Sequence, residues 1–356
     1  MNELIQATGA SHRISIGTGI ICRRWASGLR FIDVSRVVRI AFNAVSLVLL
    51  GAGFTGCSTQ TLSSGASLAK LGQTAAIQME QNATISARSI LALKKAVAFN
   101  DGYNKQVGNA DSKAFLANMT AIQGRLSQFG RWLESLSSSY SAMGDLASYD
   151  AFGNFDSSIG ALATNTANFA GAVGKPITIP PDATATVKVA GGLVIGSIQA
   201  HEVKSASRKI EGLLTNVIAV LDEPGTKKQL VAIQREVAGQ IDQAAAVLFA
   251  NGISSYAPLL DDLGSSLGLK SIANADSLVV NKTNVLAGLR NVAVELSNEQ
   301  VESQEAAYDK SLAALKALVP LHQSLEHGAP LNLNAIVNTV NQLQQLAAMF
   351  PPPKTK

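Results

Sequence analysis

The chain has 356 residues, 47% hydrophobic, 5% aromatic and 15% charged, with a formal net charge of +4 and a pI near 9.0. The basic excess lies in the first 56 residues, which hold six of the 29 basic side chains (all Arg) and two of the 25 acidic ones, Glu3 and Asp33, leaving 23 of each sign beyond them. A neutral body offers no electrostatic footprint for a phosphate backbone, which argues against nucleic acid as a partner.

Near the start, Arg36 and Arg39 precede an uncharged run over residues 40–56, with Val45, Leu47, Val48, Leu49 and Leu50 at its centre. It ends in Gly53-Phe54-Thr55-Gly56-Cys57-Ser58. Basic residues, an apolar stretch and small residues at a processing point make a secretory signal. The run is slightly shorter than the roughly 20 residues of a comfortable membrane span. Phe54-Thr55-Gly56-Cys57 resembles the lipobox of bacterial lipoproteins, with Phe54 where that family usually has Leu. The resemblance implies a leader, residues 1–56, cut off just before Cys57. It also implies diacylglycerol on the Cys57 thiol and often a fatty acid such as palmitate on the new amino terminus. Ser58 after the cysteine, where inner-membrane members of enteric type carry Asp, implies the outer membrane, facing the periplasm. Two other readings stay open, an uncleaved anchor with a free thiol at Cys57 and a buried core helix. Residues 1–35 lie ahead of the basic region, so the true start is expected at Val34, Val37 or Val38, whose codons can initiate in bacteria. Of the two cysteines, Cys22 and Cys57, only Cys57 survives processing, so the body is expected to stand without a disulfide.

After the cysteine, Ser58, Thr59, Gln60, Thr61, Ser63 and Ser64 read as a solvated tether over residues 57–66. A helical bundle is expected over residues 67–349 and a frayed tail over 350–356. A first helix over roughly 64–99 ends at Asp101-Gly102. Apolar residues then recur at steps of three and four, which places them on one helical face. The stripes are Ile122, Leu126, Phe129, Leu133 and Leu136; Val203, Ala206, Ile210, Leu213, Val217 and Val220; and Leu230, Ile233, Val237, Ile241, Ala244 and Leu248. They continue with Leu289, Val292 and Leu296; Tyr308, Leu312, Leu315 and Val319; and Ile336, Val340, Leu343 and Ala347. Breakers separate them: the stretch 174–182 with Pro176, Pro180 and Pro181, then Pro224-Gly225, Pro258, Pro320 and Gly328-Ala329-Pro330. The expected fold is all-α, an elongated up-down bundle of six or seven helices. A small β-hairpin near residues 176–190 and a subdivision near 174–183 are options at the main interruption.

The candidate motifs are weak. Gly264-Ser265-Ser266-Leu267-Gly268 has the spacing of a nucleophile elbow, with Asp276 and His322 available as partners for Ser266. Pro258, Asp261 and Asp262 before it make poor strand, which that elbow requires. Ser67-Leu68-Ala69-Lys70 matches the S-x-x-K of penicillin-binding enzymes without the companion motifs, and reads as a helical turn. His201-Glu202 lacks a second histidine four residues on. His322 and His327, bracketed by Pro320 and Gly328, read as solvated loop residues, with Glu326 as a third candidate for a weak metal site. Glu295, Glu299, Glu302 and Glu305 read as a solvated helix face. Residues 189–198 are apolar and Gly-rich, with Gly192 and Gly196 at the spacing of close-packed membrane helices. Long helices around a short apolar element resemble the α-helical pore-forming toxins. The alternative is a buried helix packed at its glycines.

The expected function is therefore that of a lipid-anchored envelope protein, non-enzymatic, acting as scaffold or accessory to another envelope protein. No catalytic, metal or cofactor residue is assigned. A membrane-active protein built on residues 189–198 is the alternative, and a hydrolase using Ser266 is a distant third.

Overall fold

The computed structural model describes residues 57–104, 109–148, 154–181, 196–232, 282–349 and seven positions between 239 and 248. Among these the architecture is all-α with no strand. Helix α1 is Cys57–Tyr103, α2 Ala110–Ser148, α3 Phe155–Ala172 and α4 Gly196–Leu221. A short α5, Pro224–Lys227, runs into a π-helical turn at Lys228–Ala232, then come α6, Lys282–His327, and α7, Asn334–Ala348. At 1.5 Å per residue, the 47 residues of α1 and the 46 of α6 each span about 70 Å.

The α2 and α4 stripes fall on the core as their spacing predicts. Ile122, Leu126, Leu133, Leu136 and all six residues from Val203 to Val220 are buried. So are Ile336, Val340 and Leu343 of α7. Helix directions follow from contacts at two levels. Gly65 lies beside Val203 and Ala147, Gly72 beside Tyr140, and Gln199 Nε2 donates to the Leu146 carbonyl at 2.5 Å. Thus α1 and α4 run antiparallel to α2 and parallel to each other. Helix α6 runs down against them, with Gln304 Nε2 donating to Ser89 Oγ at 2.8 Å. Helix α3 lines α2 and α4, and α7 lines α1 and α6, with Asn82 Nδ2 donating to the Leu343 carbonyl at 3.2 Å.

Two helix ends carry the same device. Gly174 (φ +76°) and Gly328 (φ +71°) take the left-handed conformation after α3 and α6. Lys175 N then donates to the Ala170 carbonyl and Ala329 N to the Ser324 carbonyl, both at 2.8 Å, completing Schellman motifs. At α4, Tyr308 Oη reaches across from α6 and donates to the otherwise unmatched Leu221 carbonyl at 2.6 Å.

Several expectations need correction. Residues 57–66 are not a tether: α1 begins at Cys57, and Thr61, Leu62 and Gly65 are already packed. Asp101-Gly102 does not stop α1, which runs to Tyr103. Pro320 does not separate two helices but sits exposed inside α6, and the carbonyl it leaves without an amide donor is that of Lys316, also exposed. Residues 175–180, half of the expected hairpin, have no regular structure, and the other half lies outside the described residues. Both sides of that Pro-rich break contribute to one core.

Small residues set how closely α1 and α2 approach. A Cβ on Gly72 would stand inside the Tyr140 ring, whereas Gly124 on the outer face of α2 has nothing within 4 Å. Gly72→Ala is expected to lower stability by about 1–3 kcal/mol through overpacking. Gly124→Ala should raise it by roughly 0.5–1 kcal/mol, because it only restricts the unfolded chain. Urea titration followed by Trp132 fluorescence checks both. Equal signs for the two substitutions would refute this account of the α1–α2 contact.

Candidate functional site: a buried Tyr-His-Ser layer

The most concentrated polar chemistry among the described residues lies inside the bundle. His322 is 0% exposed, although it belongs to α6 only two residues beyond Pro320. Its Nε2 is 2.8 Å from Tyr140 Oη on α2, and its Nδ1 is 2.7 Å from Ser207 Oγ on α4. Tyr140 and Ser207 are equally buried. The Tyr140 and His322 rings stack, with centroids 5.7 Å apart and planes 26° from parallel. Gly72 on α1 gives the Tyr140 ring the room it needs. One cross-section therefore ties three helices together through a single imidazole, with α1 packed behind the Tyr140 ring.

The electrostatics are those of a dry site. Burial pushes the His322 imidazole down to about 3, so the ring is neutral at physiological pH. Burial also raises the Tyr140 phenol well above its usual range, so it keeps its proton. A neutral imidazole has one donor and one acceptor nitrogen, and either tautomer is satisfied here because both hydroxyls can donate or accept. The Ser207–His322 distance is that of a nucleophile and its base. The layer nevertheless has no face to offer a substrate. An open groove of about 380 Å³ lies by Pro180, Arg208, Glu211 and Thr215, and a void of about 30 Å³, room for a single water, lies by Gln304 and Ser311. Neither is lined by Tyr140, Ser207 or His322. In this arrangement the layer holds helices α2, α4 and α6 in register.

Among the described residues, those singled out from sequence do not converge. His322 is a buried helical residue and not a solvated loop histidine. Pro320 does not end the helix, and steps of three and four from Leu315 through Leu318 carry His322 onto the core face. His327 is exposed, its Nδ1 donating to the Gln323 carbonyl at 2.6 Å, and Glu326 pairs with Arg208. The weak metal site of these three is thus not assembled. His322 is likewise not available to Ser266, since both ring nitrogens are taken. Ser266 and Asp276 lie outside the described residues, as do 189–195 of the apolar segment. Ser67 Oγ donates to the Ser63 carbonyl at 2.9 Å and Lys70 is exposed, one turn of α1. His201 is exposed while Glu202 is buried, and that burial raises the Glu202 carboxyl despite His201 and Lys209 nearby. Glu295, Glu299 and Glu302 are exposed along α6 and Glu305 is half-buried. Among the described residues no group of three or more His, Cys, Asp or Glu is placed to hold a metal ion. Cys57 is the first residue of α1.

Sequence reasoning missed Tyr140 and Ser207, which lie 182 and 115 residues from His322 along the chain. Tyr140 does extend the α2 stripe, one helical step of four beyond Leu136. Comparison with known proteins adds no relative: no family model, no curated protein and no solved structure matches this chain.

Removing one member of the layer should strand the others. Tyr140→Phe leaves a buried ring nitrogen without its partner and is expected to cost about 1–3 kcal/mol. In a His322→Leu background the same substitution should cost little, giving a coupling energy of about 0.5–3 kcal/mol in a double-mutant cycle. Additive costs in chemical denaturation would mean that the two side chains do not depend on each other.

Proposed function

We propose that this chain is an envelope lipoprotein, anchored through lipid on Cys57, with a non-enzymatic structural, scaffold or accessory role. The observation that carries the reading is Phe54-Thr55-Gly56-Cys57-Ser58 at the end of an apolar run preceded by Arg36 and Arg39. The body is consistent with such a role. Its long helices are stabilised by a continuous apolar core, and its most concentrated polar cluster is sealed. Among the described residues no helix is long and apolar enough to cross a membrane. On this reading attachment falls to the lipid, and because α1 starts at Cys57 the anchor joins a rigid helix directly. The partner class is another envelope protein, with the outer membrane as the site.

One observation favours a second reading, a membrane-active protein. Helices α1 and α4 run parallel, with Gly65 beside Val203. Gly196, at the start of α4, therefore lies within about one helical turn of the level of Cys57. The apolar run 189–195 thus joins the bundle at the end that carries Cys57.

Stable anchoring needs more than one acyl chain, so losing the lipidated thiol should free the protein. Cys57→Ala is expected to move it from the membrane to the soluble fraction and to remove the acyl mass from the intact protein. A Cys57→Ala protein that stays in the membrane would overturn the anchor. For the second reading, dye should leak from liposomes with the native chain and not with Gly192→Glu; intact liposomes at high protein concentration would discard it.

A further inference from the structure

We propose that the last two turns of α6, beyond Pro320, are a clasp released by acid, hinged at Pro320 and latched by the His322 side chain between Tyr140 and Ser207. The inference does not depend on the lipid anchor. It stands on two observations in one short segment.

The first is the hinge. Pro320 has no amide to donate to the carbonyl of Lys316 four residues back, so the helical ladder of α6 has a gap there. Seven residues later the helix ends at His327, with Gly328 in its Schellman turn, and residues 328–333 lead into α7. Unwinding that starts from Gly328 therefore meets a bond already missing at Pro320. Only the two turns between these points have to open.

The second is the latch. In the segment Leu321, His322 and Leu325 are buried. On its outer side Glu326 pairs with Arg208, and Gln323 Nε2 donates to Glu211 Oε1 at 2.8 Å. Such surface contacts hold little. Closure therefore depends on the buried residues, and His322 is the one whose state depends on pH. The groups facing it come from every neighbour. Helix α1 offers Gly72, behind the Tyr140 ring, and α2 offers Tyr140 itself. Helix α4 offers Ser207 inwards and keeps Arg208 and Glu211 at the surface, with Lys204 approaching Gly328. Helix α7 has no charged residue along its length, and the one ionisable group of α3, Asp156, acts on Glu202, five residues before Ser207 on α4. Among the described residues no carboxylate contacts the ring to hold an imidazolium.

The sign follows. The closed state keeps His322 neutral, with burial as the only cause, down to about pH 3, whereas a released His322 takes up a proton near its ordinary 6.5. Protons therefore bind the released state preferentially, and the stability that closure contributes is complete above about 6.5 and lost as pH falls towards 3. Between pH 7 and pH 5 the released population should rise about 25-fold. Tyr140 keeps its proton throughout.

Native-state hydrogen exchange read at the amides of residues 321–327, corrected for intrinsic chemical rates, tests this at pH 7 and pH 5, above the ordinary carboxylate range. The expected result is an opening equilibrium that grows about 25-fold at these amides, with the core amides of α2 unchanged. His322→Gln keeps a donor and an acceptor but cannot titrate, and should abolish the pH dependence. Pro320→Ala restores the missing bond, and should lower opening at both pH values while leaving their ratio unchanged. Equal protection at the two pH values in the native chain would overturn the proposal, with or without the variants. So would a pH dependence that survives His322→Gln, or a loss of protection spread evenly over the bundle.

Discussion

Long helices bury polar side chains as well as apolar ones, and every buried polar atom then needs a partner of the right geometry. In this bundle that constraint is sharpest at His322. One ring satisfies both nitrogens with hydroxyls from two other helices, and a glycine on a fourth gives the phenol room. An apolar stripe can slide by a turn and still bury similar area. A two-sided imidazole cannot, because a slip strands three buried groups at once. The layer therefore selects one register from several that the apolar core would accept. Trp132 plays the same part between α2 and α3, with Nε1 donating to Thr166 Oγ1 at 2.9 Å and Phe129 stacked on its ring.

How legible each element was in the sequence follows from the size of its core side chains. Helices α2 and α4 present large aliphatic residues at regular steps, and periodicity found them. The core face of α6 is Ser303, Gln304, Ala307, Ser311 and Ala314 before it reaches Leu315 and Leu318. Small and polar residues hide that face, and of the stripe Tyr308, Leu312, Leu315 and Val319 only Leu315 lies on it, the other three forming its half-buried edge. Pro320 reads as an end because a proline interrupts one bond, but on an exposed face the carbonyl left over, that of Lys316, can bond to water and the helix continues. The start of α1 was misread for a similar reason. Its serines and threonines resemble a solvated linker, yet in a helix their side chains bond to backbone carbonyls one turn back, as Ser67 does to Ser63.

The polar layer was not legible as a unit. Its members come from three helices far apart in the chain, and each is unremarkable where it stands. The lipobox-like residues 54–57 are the opposite case, a pattern contained in a few consecutive positions. On the proposed reading the address is written locally, whereas the polar layer exists only through packing.

The ion pairs are unevenly placed. Arg208–Glu326, Lys227–Asp309 and Lys316–Asp222 all fasten α6 to α4, to α5 or to the turn between them. The contact of α1 with α2 is made mainly by apolar side chains and closely approaching glycines, with Lys94 donating to Gln123 and Ser112 to Asp101 nearer the turn between them, and α7 brings no charge to its seat. Ionic strength therefore acts on this molecule directionally. Added salt screens the exposed pairs along one seam and leaves the opposite one to hydrophobic contact, which salts of the sulfate type strengthen. The same bundle would be softened along α6 and tightened along α1 by a single change of solvent.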